Sequence, residues 1–196
     1  RVTLFTLVIF VLGMGSVTVL TGRMLRQDMQ AMLEQQQFAT ASLAAADVSQ
    51  ELGDRLRALE LEASGIGPAL LADAPALQRH LLTRPALQAL FNAGTFIVGS
   101  DGTALASLPA STPRSGINYR AHDFIAAALA SGSSSIGQPT HGKLLHSPVL
   151  HMAAALRDAN GQVTGALAGV IDLGQPNFLD GIVGQRYGQT GNYLLV

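Results

Sequence analysis

The pattern of apolar and polar residues changes twice along the chain. No residue from Val2 to Gly22 is charged. Over residues 23–64 apolar side chains recur at intervals of three and four, which predicts one long helix. Beyond residue 64, short helical stretches broken by prolines give way to strand-like runs. The pattern therefore predicts an apolar N-terminal segment, a long helix and a part of mixed α+β structure.

The uncharged run predicts a transmembrane helix over residues 1–22. A helix rises about 1.5 Å per residue, so a run of this length covers about 30 Å, the thickness of a bilayer core. Signal peptides usually have a shorter apolar stretch, and a buried soluble helix usually keeps a polar stripe. We therefore expect a membrane-embedded anchor, followed by a long signalling helix over residues 23–64.

Residues 65–187 predict an antiparallel sheet with flanking helices. Two pairs of strand-like runs are each joined by a short turn, which is typical of β-hairpins. Between the hairpins, residues 119–131 predict a helix that ends at Gly132. The long helix would cover one face of the sheet, and the other face, under helix 119–131, would form the pocket. The predicted strands are 95–98, 104–108, 149–156 and 163–173, with a last helical stretch at 176–183.

Composition and motifs exclude several classes of function. Charged residues make up only 13% of the chain, about half the usual share, and the net charge of −1 argues against a nucleic-acid partner. The chain has no cysteine, so disulfides and cysteine-ligated zinc are excluded. His141, His146 and His151 are spaced by five, which on one strand would alternate faces, so we expect no metal site. No catalytic motif is present, and we predict neither an enzyme nor a cofactor.

Four stretches occur in an order that resembles the double Cache sensor domains of bacterial receptors, which have a PAS-like fold. They are GSDGTALASLP, NYRAHDFIAAALASG, GQVTGALAGVIDL and GQTGNYLLV, and the resemblance covers roughly residues 24–196. PNFLDGIV, before the last stretch, makes the chain most similar to sensors fused to diguanylate cyclases. The resemblance implies that residues 65–187 are the membrane-distal Cache module and that residues 188–196, with the strand Tyr193–Val196, begin a second module. It also implies an extracytoplasmic location at the bacterial inner membrane.

The segment NYRAHDF holds the first candidate ligand-binding residues. Tyr119, Arg120, His122 and Asp123 place a cation, an anion and aromatic rings within five positions. Arginine can clamp a carboxylate with two hydrogen bonds, and aspartate can bind an ammonium group, so a small zwitterion or carboxylate suits this set. The alternative is a solvated turn in which Asp123 only favours the helix dipole.

Asp172 is the second candidate. It is the only charged residue in GALAGVIDL, and strand alternation places it on the face of Ala166, Ala168 and Val170. Small residues beside one carboxylate suit a pocket floor. The alternative is an aspartate at a strand end that bonds to the turn at Gly174, and either arrangement must give a buried carboxylate a partner.

Two functions from different classes remain. The first is extracytoplasmic sensing of a small polar or carboxylate-bearing metabolite by a homodimeric receptor that controls a diguanylate cyclase. The second is a ligand-free structural or dimerising stalk of a histidine kinase or chemoreceptor. A binder is stabilised by its ligand through mass action and a stalk is not, so thermal unfolding separates the two.

Overall fold

The computed structural model describes residues 2–142 and 145–183, with the backbone alone at 182, 183 and most of residues 2–34. The predicted strand Tyr193–Val196 lies outside the described residues. The helices are α1 Val2–Ser64, α2 Pro68–Leu71, α3 Ala74–Leu82, α4 Pro85–Leu90, α5 Asp123–Ser131 and α6 Leu179–Val183. The strands are β1 Thr95–Gly99, β2 Ala104–Leu108, β3 Ser135–Ile136, β4 Thr140–His141, β5 Pro148–Arg157 and β6 Val163–Asp172.

The prediction of a transmembrane helix over residues 1–22 is wrong. Among the described residues, no helix combines the length and the apolarity that crossing a membrane requires. The uncharged run is the first third of α1, which continues without a break to Ser64.

The chain forms two compact units, Arg1–Asp47 and Val48–Val196. The described part of the first unit is helical throughout and belongs to α1. The second unit contains the last residues of α1, the shorter helices and the whole sheet. The core and the candidate site lie in this second unit.

The sheet is antiparallel and has the strand order β2-β1-β6-β5-β3, with β4 also paired to β5. Both predicted hairpins are present, as β1–β2 and β5–β6. The long β5–β6 hairpin forms the middle of the sheet, with Met152 opposite Gly169. The structure is therefore α+β with one antiparallel sheet, as the sequence predicts.

Strand alternation divides the core into two layers, as expected for a sheet buried on both faces. On β6, Leu167 and Ile171 pack in one layer with Leu59 of α1 and with apolar residues of α3 and α4. Ala166, Ala168 and Val170 face the other layer, which α5 completes. The predicted assignment of these residues to opposite faces is confirmed. The other members of the α5 layer are Ala93, Phe96, Val98, Ala104, Tyr119, Phe124, Ile125, Ala128, Val149 and Ala153.

Two glycines are required by local geometry. A Cβ at Gly169 would lie 2.4 Å from the ring of Phe91, so only glycine lets this fully buried ring rest on β6. Gly132 ends α5 with φ +67°, and its N–H donates to Ala128 O over 2.9 Å. Glycine is the usual residue for this left-handed cap, and the predicted end of the helix is confirmed.

Two side-chain amides pair with strand backbones. Gln78 of α3 donates from Nε2 to Ser107 O over 2.8 Å and accepts from Ser107 N–H over 3.0 Å. Because Ser107 lies on the edge strand β2, this amide takes the place of a further strand. Asn92 does the same at the end of β6, where Oδ1 accepts from Asp172 N–H over 2.7 Å and Nδ2 donates to Asp172 O over 3.0 Å.

The last turns of α1 are tied to α3 and to the start of α4 by charge. Glu62 Oε1 accepts from Arg84 Nε over 2.5 Å and lies 2.7 Å from His80 Nε2. The Glu62 side chain is only 18% exposed, so this carboxylate is better shielded from solvent than a surface ion pair. The contact fixes the end of the long helix to the layer that covers one face of the sheet.

Candidate functional site

A cavity of about 540 Å³ lies on the α5 side of the sheet. This volume falls within the range that small-molecule sites usually have. Residues of the loop that follows β2, of the start of α5 and of the strands β4, β5 and β6 line the cavity. Its lining residues are Phe96, Arg114, Ile117, Tyr119, His122, Thr140, His141, Gly142, Leu145, Val149, His151 and Val170.

Arg114 is the buried charge of this cavity, with only 3% of its surface exposed. Its Nη2 donates to Ala93 O over 2.9 Å, and a longer contact of 3.5 Å joins Nη1 to Leu108 O. Burial lowers the pKa of the guanidinium below its ordinary value. In the part of the chain that the structure describes, no carboxylate forms an ion pair with Arg114. A buried cation with only carbonyl partners still lacks a counter-charge.

Aromatic rings form a continuous wall beside this arginine. The ring of Phe96 lies 4.6 Å from that of Tyr119 and 5.6 Å from the Arg114 guanidinium carbon. The Tyr119 ring in turn lies 5.4 Å from the His122 ring. Burial raises the pKa of Tyr119, and the nearby Arg114 charge opposes that rise. The phenol is therefore a neutral hydrogen-bonding group at physiological pH.

His151, on β5, is a half-buried imidazole of the cavity wall. Its ring stacks on Phe124, with 4.7 Å between centroids and 12° between planes. Burial, followed by the fields of His122 and Arg114, lowers the pKa of His151 to about 4. This imidazole is therefore neutral at physiological pH, and Arg114 remains the permanent cation of the cavity.

The structure divides the predicted segment 119–123. Tyr119 and His122 line the cavity. Arg120 is exposed outside the lining and donates from Nη1 to Ser100 O over 3.2 Å, in the β1–β2 turn. Asp123 is an exposed residue in the first turn of α5, a position that favours the helix dipole. A ligand role for either charged residue stays a prediction.

Asp172 is buried, with 7% of its surface exposed, but it is not a lining residue. Its Oδ1 accepts from Gly174 N–H over 2.8 Å. The bond is the strand-end arrangement that the sequence left open as an alternative. Its backbone is held by Asn92, so the residue anchors the end of β6 next to the cavity.

Sequence reasoning missed Arg114 and misjudged His151. Arg114 stands in a loop of Ser, Thr, Pro and Gly residues, where an arginine is normally solvated, and only tertiary contacts bury it. The spacing argument for His141, His146 and His151 assumes that they lie on one strand. His141 lies on β4 and His151 on β5, and both line the cavity. A turn signal between them, Gly142 and Ser147-Pro148, was the available clue.

The cavity is equipped to bind an anionic group. It offers a guanidinium, a phenol and imidazoles on an apolar floor, a set that can hold an anionic group by charge-assisted hydrogen bonds. Within the residues that the structure describes, no cluster of three histidine or acidic side chains has the geometry to hold a metal ion.

Comparisons with known proteins identify the fold. No family model matches the chain. No curated protein matches it either. A solved structure that does match is the ligand-binding domain of the Pseudomonas aeruginosa amino acid chemoreceptor PctB in complex with L-Gln, at 23% identity and a TM-score of 0.64. The match covers 78% of this chain and 60% of that one.

Two further matches have the same character. The ligand-binding domain of the P. aeruginosa chemoreceptor PctC, in complex with GABA, is 24% identical with a TM-score of 0.58, over 69% of this chain and 61% of that one. The ligand-binding domain of the Pseudomonas fluorescens chemoreceptor CtaA, in complex with L-serine, is 22% identical with a TM-score of 0.59, over 75% and 61%. The chain therefore shares the fold of these ligand-binding domains and spans about three fifths of their length.

Proposed function

We propose that this chain is the sensing part of a signal-transduction receptor and that its cavity binds a small carboxylate-bearing metabolite. The observation that carries the proposal is Arg114, a buried guanidinium that lines the cavity and has no carboxylate partner in the described residues. A ligand carboxylate would supply the missing counter-charge. Tyr119 and His122 are the further ligand contacts that we propose from the sequence-predicted set.

Electrostatics favours this assignment over a purely structural role. A buried guanidinium costs several kcal/mol of desolvation, and two carbonyl groups repay only part of that cost. A carboxylate can take two parallel hydrogen bonds from one arginine, which adds geometric specificity to the charge attraction. The field of Arg114 also disfavours protonation of His151, so the cavity already attracts negative charge.

The solved neighbours support binding as the class of function. Each of the three was solved as a ligand-binding domain with a small molecule bound. We infer an extracytoplasmic location from the sequence resemblance. The same resemblance points to a diguanylate cyclase output, whereas the neighbours are chemoreceptor domains, which makes a chemoreceptor output the alternative.

We also propose that the receptor is a homodimer joined through α1. Met32 and Leu43 are exposed large apolar side chains on this helix. They stand eleven residues apart, about three helical turns, and so share one side of the helix. A second copy that covers this side would remove both side chains from water.

The test is ligand-dependent thermal stabilisation of the full chain, followed by calorimetric titration of each molecule that raises the midpoint. The library should contain carboxylates, amino acids, amines and neutral polar metabolites. Arg114→Gln keeps hydrogen-bond donors near Ala93 but removes the charge, and should weaken carboxylate binding by about 2–5 kcal/mol. Arg120→Gln is the matched variant, because it removes an arginine that lies outside the cavity lining.

The outcomes separate the competing assignments. Loss of binding in Arg114→Gln with wild-type binding in Arg120→Gln supports the proposal. Loss of binding in Arg120→Gln with wild-type binding in Arg114→Gln would instead assign the carboxylate contact to Arg120, as the sequence predicts. If no carboxylate stabilises the wild-type chain, the binding function fails and the structural stalk becomes the better reading.

A further inference from the structure

The charges of the cavity are all of one sign. Its lining contains one guanidinium, three imidazoles and a phenol, but no aspartate or glutamate. The two nearest candidates from the sequence are engaged elsewhere, since Asp172 bonds to Gly174 and Asp123 lies exposed on α5. Residues 143, 144 and 184–196, which the structure does not describe, include no acidic residue in the sequence. Among the residues that the structure describes, the cavity lining therefore includes no carboxylate side chain.

An ammonium group would find no good partner in this cavity. A buried ammonium ion needs an anion or a set of strong acceptors, because its desolvation cost is large. Aromatic faces can substitute, but the Phe96 ring already lies beside the Arg114 guanidinium, and the Tyr119 ring is in contact with the rings of Phe96 and His122. Burial is the main cause of the lowered pKa of His151, about 4, and the charges of His122 and Arg114 add to it, so a further cation beside these groups is disfavoured.

The rest of the lining is apolar. Ile117, Leu145, Val149 and Val170 surround the polar groups, and Phe96 forms the ring surface. Such a lining gains free energy by covering hydrocarbon, roughly in proportion to the apolar area removed from water. The ligand body that fits this lining is an aliphatic or aromatic group.

We propose that the cavity selects organic acids that carry an apolar body and no amino group, and rejects the corresponding amino acids. The inference rests on the proposed sensing function and narrows its ligand class. It separates this chain from the solved neighbours, whose bound molecules are L-Gln, GABA and L-serine. The carboxylate would pair with Arg114, and the carbon chain would lie against β5 and β6.

The experiment uses pairs of molecules that differ only in the amino group. Hydrocinnamate is compared with L-phenylalanine, and isocaproate with L-leucine, by calorimetric titration of the full chain. The acid of each pair should bind at least about tenfold more tightly, which corresponds to one unpaired ammonium at about 1.4 kcal/mol.

An acidic side chain introduced into the lining provides the second arm. Thr140 is an exposed lining residue of the short strand β4, where a substitution disturbs little of the core. Thr140→Asp adds the missing carboxylate and should shift the preference towards the amino acid of each pair by about tenfold or more. Thr140→Asn introduces a side chain of nearly the same size as aspartate but without its charge, and should keep the wild-type preference.

Each result has a definite meaning. Amino acids that bind as tightly as their acids would overturn the ligand class while leaving the sensing function in place. Failure of all four probes to bind would overturn the ligand class, and the sensing function would then depend on hits from the wider library. Equal shifts in Thr140→Asp and Thr140→Asn would show that the sign of the lining charge does not set the preference.

Discussion

Protonation of His151 should destabilise the fold in mild acid. Burial and the nearby charges of His122 and Arg114 lower the pKa of this imidazole from 6.5 to about 4. Between these two values the unfolded chain binds a proton that the folded chain does not, so the free energy of unfolding falls as the pH falls. The contribution of His151 is complete above pH 6.5 and is lost by pH 4.

The magnitude follows from the two pKa values. Linkage gives a loss of about 2 kcal/mol between roughly pH 7.5 and pH 5 for this one group. Because His151 is only partly buried, solvent screening makes this an upper value. Arg114 and the other cavity histidines, His122 and His141, remain in place in the variants below, so a difference between chains isolates His151.

The assay is urea unfolding followed by circular dichroism at the two pH values. His151→Phe keeps a ring against Phe124 but cannot be protonated, and should lose about 1–2 kcal/mol less stability on acidification than the wild type. His151→Asn removes both the ring and the proton, so it should start less stable but show the same reduced loss. Equal losses in the wild type and both variants, within about 0.5 kcal/mol, would refute the reasoning.

Two more predictions concern the frame around the cavity. Asn92→Ala removes both hydrogen bonds to the Asp172 backbone and should lower the free energy of unfolding by about 1–3 kcal/mol, measured by the same urea titration; a change below about 0.5 kcal/mol would show that water replaces the amide. Single cysteines at Met32 and Leu43 should form disulfide-linked dimers on oxidation, whereas a cysteine at Phe38, exposed but about a third of a turn away, should not. Equal cross-linking at all three sites would remove the proposed side of contact.

The sequence predicted the sheet better than the site because alternation is local and burial is not. The faces of β6 follow from strand geometry, because successive side chains of a strand point to opposite sides of the sheet. The site depends on the loop after β2, whose path sets Arg114 under the aromatic wall. The path of this loop depends on contacts with residues distant in the sequence, such as the hydrogen bond from Arg114 to Ala93 O, and no local sequence pattern predicts it.

The long helix shows a second limit. An uncharged run was enough to suggest a membrane helix, although threonine, serine and glycine are spread through it. The periodicity beyond residue 22 predicts a helix, and the structure has a helix there. The pattern does not mark a break between this helix and the uncharged run, and α1 is continuous to Ser64. The sequence predicts a helix from residue 119, whereas α5 begins only at Asp123. Tyr119 and His122 precede the helix, and their rings contact each other in the cavity wall.

The amide of Gln78 closes one border of the sheet to pairing with a strand of another chain. On β2, the N–H and C=O of Ser107 are already taken by this side chain, so a strand from a neighbouring molecule cannot dock there without displacing α3. The opposite border is formed by β3 and β4, two strands of only two residues each, which are too short to template a long pairing. Strand pairing is thus blocked at one border by the Gln78 side chain and limited at the other by the short length of β3 and β4. Among the described strands, neither border of the sheet therefore offers a long free edge to a neighbouring molecule.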